Sequence, residues 1–146
     1  MERSIMSERR FVFISLVLVS ALIVAACSGG GAPGAEKAIK SAKSGDLTVT
    51  LSNSAGQLNN GENDLYIAFT DASGKPIDVG AASLNFQMTA MGTMPEMNNK
   101  AALTTTEVPG RYRASVEIEM SGTWEAIISY EGPQGAGQTR MTVNAK

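Results

Sequence analysis

Histidine is absent from this sequence, and cysteine occurs once, at Cys27. Without histidine, no side chain has an ordinary pKa suited to general acid–base work near neutrality, and no imidazole can ligate a metal. With one cysteine there is no internal disulfide and no thiolate cluster. Serine hydrolysis would need an unusual Ser–Lys pair in place of histidine. Together these absences argue against an enzyme. Basic charge is scarce too: 12 Lys and Arg face 14 Asp and Glu, a net charge of −2. A chain without a basic stripe is not expected to bind nucleic acid. The acidic residues offer little in return. Glu62, Asp71 and Asp78 lack the spacing of a calcium loop, and Glu117 and Glu119 read as solvated charges on one strand face.

Long hydrophobic runs are also missing, apart from Phe11–Ala26, whose 16 residues fall short of a spanning helix. Arg3, Arg9 and Arg10 precede that run, and small residues close it, the arrangement of a secretory signal. Val24-Ala25-Ala26-Cys27 resembles the lipobox of bacterial lipoproteins, in which the cysteine is lipidated and becomes the first residue. The expectation is a signal peptide over 1–26 and a diacylated Cys27 that holds the protein to a membrane outside the cytoplasm. Two acyl chains suffice for stable attachment. The stretch from Cys27 to Ser44, rich in Gly, Ala, Ser and Lys, reads as a flexible tether with one or two helical turns around Ala35–Lys43. Lys37, Lys40 and Lys43 would keep it soluble or touch anionic headgroups.

From Gly45 onward the pattern is β. Leu47–Leu51 alternates apolar and polar residues, Asp64–Phe69 is an apolar strand, and Leu84, Phe86 and Met88 share one face of another. The cleanest period of two sets Tyr112, Ala114, Val116, Ile118 and Met120 against Arg113, Ser115, Glu117 and Glu119. Asp, Gly and Pro mark turns between these runs. About seven short strands without an amphipathic helix predict one immunoglobulin-like antiparallel sandwich over residues 45–146. Trp124 is expected in its core.

What the chain does have is methionine, eight in 146 residues. Four of them stand three apart in MTAMGTMPEM, Met88 to Met97. A thioether stays unprotonated at any pH and selects Cu(I) or Ag(I) over harder ions. Gly92 and Pro95 break helical structure and let the segment fold back. The candidate site is Met91, Met94 and Met97, completed by Met88 or Met120, with Trp124 offering an aromatic face to the cation. Methionine also fills irregular cores. Met88 lies in phase with Leu84 and Phe86, and Met120 with Val116 and Ile118, so both are expected to pack inward. Met91, Met94 and Met97 sit among polar residues without a strand period. For them a Cu(I) site, a metal-free loop that docks onto an envelope or membrane transport complex, and packing onto the sheet remain open.

Four motifs in order extend this reading. Asp71, Gly74, Lys75 and Pro76 form an Asp-x-x-Gly-Lys-Pro turn; Met94, Pro95 and Met97 an MPxM segment; Pro109, Gly110, Tyr112 and Ala114 a PGxYxA strand start; Met120, Gly122 and Trp124 an MxGxW hairpin. In this order, across Gly61 to Lys146, they resemble the YtkA-like family, a relative of the FixH type. The resemblance implies a small extracytoplasmic β-sandwich, found as a lipoprotein or membrane-anchored protein beside copper or heavy-metal transport machinery. Many members place a histidine after MPxM; here Asn98-Asn99 stand there.

Overall fold

The computed structural model describes residues 36–146. The signal-like segment and Cys27 lie outside the described residues. Every element in the described part is a strand: β1 Lys37–Ser44, β2 Leu47–Asn53, β3 Gly61–Thr70, β4 Ala81–Met88, β5 Met97–Lys100, β6 Ala102–Thr105, β7 Arg111–Ile118, β8 Gly122–Gly132 and β9 Gly135–Ala145. They form two antiparallel sheets, ordered β1-β2-β3-β7-β6 and β5-β4-β8-β9. The order β2-β3-β7-β6 opposite β5-β4-β8-β9 is that of an immunoglobulin-type sandwich.

The period of two produces this directly. In β7, Tyr112, Ala114, Val116 and Ile118 are buried while Arg113, Ser115 and Glu117 are exposed. Inward faces of both sheets meet around Trp124, Phe69 and Phe86, all essentially inaccessible. Burying one such side chain stabilises the fold by about 1.5–3 kcal/mol. Phe69 stands edge-on to Tyr112 and Tyr130, with ring centroids 5.9 and 5.3 Å away, the arrangement aromatic quadrupoles favour.

Three expectations change. Residues 37–44, expected as flexible tether with helical turns, are strand β1, paired with β2 from Lys37 opposite Asn53 to Ser44 opposite Leu47. Helix-friendly Ala and Lys are overruled by tertiary pairing. Ile39 and Ala42 pack against the core, and the Ser44 hydroxyl lies 3.2 Å from the Tyr130 hydroxyl. Exposed Lys37, Lys40 and Lys43 then blunt a sheet edge. Just before β1, Glu36 pairs with Arg111, whose guanidinium lies 4.7 Å over the Tyr66 ring. The domain thus begins before Gly45.

Secondly, the strands number nine among the described residues. Besides β1, the added strand is β5 at the end of the methionine segment, which joins one sheet. Strand β6, from the Thr-rich run expected as a single strand over 101–108, joins the other, and the chain crosses at Ala101, whose N–H donates to the Leu84 carbonyl at 3.0 Å. Thirdly, residues 132–138, which by their glycines read as a polar loop before the last strand, are mostly strand, and only Pro133 and Gln134 turn.

Candidate functional site: a methionine hairpin

Three of the four motifs are committed to holding the fold. Asp71 Oδ1 accepts hydrogen bonds from the Ser73 N–H at 2.8 Å, the Ser73 hydroxyl at 2.6 Å and the Lys75 N–H at 3.0 Å. These bonds, the Ser73 hydroxyl foremost, hold the Asp71 carboxyl below its ordinary pKa. Gly110 has φ 73°, and a Cβ there would collide with the Ile77 carbonyl. Its own carbonyl accepts from the Phe69 N–H at 2.8 Å. Tyr112 donates its hydroxyl to the Gly80 carbonyl at 2.6 Å. Burial, with the Asp78 charge second, raises the Tyr112 pKa. In the MxGxW hairpin, the Trp124 indole N–H donates to the Met120 carbonyl at 3.0 Å. Each of these residues has a structural task.

The MPxM segment does not reduce to such tasks. Strands β4 and β5 form a hairpin with Met88 opposite Met97. The same register continues to its tip, where Met91 and Met94 form an antiparallel bridge. The Met91 N–H donates to the Met94 carbonyl at 3.1 Å, and the Met94 N–H to the Met91 carbonyl at 2.9 Å. Gly92 and Thr93 make the two-residue turn, with Gly92 at φ 59°, where a residue with a side chain is strained. Spacing by three now takes on meaning. Residues an odd number apart on a strand point to opposite faces, and residues directly opposite across a ladder share one. The four methionines therefore divide into two cross-strand pairs.

Met88 and Met97 form the inward pair: Met88 is buried and Met97 half-buried against the core. The Met88 methyl reaches the β7–β8 turn, 3.0 Å from where a Cβ on Gly122 would stand. Met91 and Met94 form the outward pair, 58% and 37% exposed. Opposed Cβ atoms in such a ladder lie about 4.5–5.5 Å apart, close enough for two flexible thioethers to meet one ion.

The other expected participants face the core rather than solvent. Met120 lies beyond the end of β7 and is half-buried against the core. Trp124 is buried with its N–H already bonded, so its ring belongs to the interior while Met91 and Met94 face solvent. One residue escaped sequence reasoning. Glu96 Oε1 accepts from Gln87 Nε2 at 2.9 Å and Asn98 Nδ2 at 2.8 Å, which fixes a carboxylate on the hairpin beside Pro95. Its signal was a lone acid inside the methionine run. Among the described residues no three His, Cys, Asp or Glu side chains gather as a metal site.

Fold and hairpin together define a small antiparallel sandwich that carries a methionine-tipped loop at one end. The family model described as YtkA-like matches residues 41–129, and the chain belongs to that family. The match begins inside β1, in keeping with that strand's place in the sheet. No similar curated protein and no similar solved structure was found.

Proposed function

We propose that this protein is a non-enzymatic binder of a soft monovalent metal, Cu(I), held outside the cytoplasmic membrane by a lipid on Cys27. Met91 and Met94 supply the sulfurs. One observation carries the reading: two opposed methionines stand exposed on a hydrogen-bonded tip while the other motifs serve the fold. Exposed methionine on a rigid turn contributes little to a core, and paired thioethers suit Cu(I). The fixed carboxylate of Glu96 lies on the same hairpin and would offset the charge of a bound cation. Met97 and Met88 support the hairpin from inside.

Nine residues, Ser28 to Glu36, separate Cys27 from β1. A flexible chain of that length has an r.m.s. reach of roughly 15–18 Å. Strand β1 starts with Lys37 opposite Asn53, level with Leu65 in the middle of β3. The hairpin tip stays exposed to solvent. The same exposure favours a second reading, a metal-free module whose apolar tip docks onto an envelope or membrane transport complex.

A Cu(I) titration of the full chain in detergent, in anaerobic competition with a chromogenic chelator, separates the two. Metal binding by the parent and none by Met91→Leu/Met94→Leu supports the first. Parent and variant alike failing to compete would leave the docking module, because leucine preserves apolar bulk.

A further inference from the structure

The split between inward and outward methionines has a chemical consequence beyond metal binding. We propose that Met91 and Met94 form a reversible oxidation site, through which hydroperoxides close the metal site without unfolding the domain. The closing of the site rests on the metal reading above; the selectivity of oxidation does not.

Thioether oxidation follows exposure. Met91 and Met94 are two of the three exposed large hydrophobic side chains among the described residues, whereas Met88 and Met141 are 3% and 2% exposed. In the reaction the sulfur lone pair attacks the outer oxygen of the hydroperoxide and the O–O bond breaks. The new S–O bond takes that oxygen, and the sulfur is oxidised by two electrons. The departing oxygen is reduced and takes up the proton that the transferred oxygen carried, leaving as an alcohol or water. Thioether and hydroperoxide thus give sulfoxide and alcohol, with nothing left over.

The product differs in the two places. At the tip, a sulfoxide oxygen meets water, and the Met91–Met94 bridge is made by backbone groups that oxidation leaves alone. At Met88, packed against the Gly122 turn, the same oxygen would have to enter the apolar core, a costly arrangement. The tip therefore tolerates the change and the interior resists it. A sulfoxide also replaces a soft sulfur donor with a harder oxygen, which disfavours Cu(I) and Ag(I). Exposure serves the return step, since methionine sulfoxide reductases, one for each epimer, must reach the group.

The test uses the full chain in detergent and Ag(I) as the probe. Ag(I) binding is measured first, before any oxidant is added. Limiting hydrogen peroxide follows, with peptide mapping by mass spectrometry and circular dichroism on the same samples. The expected result is full conversion of Met91 and Met94 while Met88 and Met141 remain unmodified. The dichroism should stay unchanged, and Ag(I) binding should be lost and then restored by the two reductases. Oxidation that reaches Met88 and Met141 at the same rate as the tip would overturn the proposal. So would unchanged Ag(I) binding after selective conversion, which would place the ligands elsewhere and leave a metal site standing. A parent chain that binds no Ag(I) at the outset sinks the metal reading itself and removes the switch with it.

Discussion

The two ends of the sandwich are built on opposite plans. At one end the β3–β4 and β6–β7 connections are tied down by side chains. Asp71 gathers three donors, Tyr112 reaches Gly80, and Gly110 presses backbone against Ile77. At the other end the tip of the β4–β5 hairpin is closed by two backbone hydrogen bonds, Glu96 bonds Gln87 and Asn98 below it, and the Met91 and Met94 side chains are left to solvent. A loop whose side chains are consumed by its own geometry has little left to offer a ligand. A loop held without the side chains at its tip can present them freely. The difference teaches where to look for function: at the end where order does not depend on the exposed groups.

The sharpest way to break this comparison is to add one methyl group at each end. Gly110→Ala meets both a positive φ and the Ile77 carbonyl, so a loss of roughly 3–5 kcal/mol is expected in urea unfolding. Gly92→Ala, with open space around its Cβ, should show strain alone, about 1 kcal/mol. Comparable losses at both sites would erase the distinction.

Next in size are the methionines themselves. Met88→Ala removes a buried side chain and should cost about 2–4 kcal/mol, whereas Met91→Ala should stay within about 0.5 kcal/mol. Thermal denaturation of the two variants side by side checks this. An exposed residue whose loss matched that of Met88 would mean the tip packs onto the sheet.

A smaller effect belongs to Tyr112. Tyr112→Phe should cost about 1 kcal/mol for the bond to Gly80. Because the folded-state pKa of Tyr112 is raised, the folded protein holds that proton more firmly than the unfolded chain does. The associated stability is complete below the ordinary value of 10.0 and is lost as pH rises through the folded value. Alkaline unfolding curves of the Phe variant should therefore fall less steeply above that pH. The smallest change is expected for Met91→Leu/Met94→Leu, whose melting should match the parent within error.

Much of the fold was legible because alternation is a strong signal where one face is buried. Strand β7 and the inward set Leu84, Phe86 and Met88 follow it residue by residue. Strand β1 was not legible. Its inward face shows only Ile39, Ala42 and Ser44 among lysines, and its stability comes from pairing with β2, which no local pattern records. Ala101 likewise looks like any alanine, although the chain changes sheets there. For the candidate site, residue types were legible and their grouping was not. A spacing of three suggests three sulfurs converging from one loop. Only the hairpin register shows that Met91 belongs with Met94, and Met97 with Met88.

That grouping is the central claim, and the ε-methyl resonances of the methionines test it most directly. With methyl-labelled methionine in the full chain, Ag(I) should be titrated while each assigned signal is followed. The account predicts that Met91 and Met94 shift together and saturate together, with Met88 and Met141 unmoved. Shifts led by Met88, Met97 or Met120, or a spectrum indifferent to Ag(I), would contradict it.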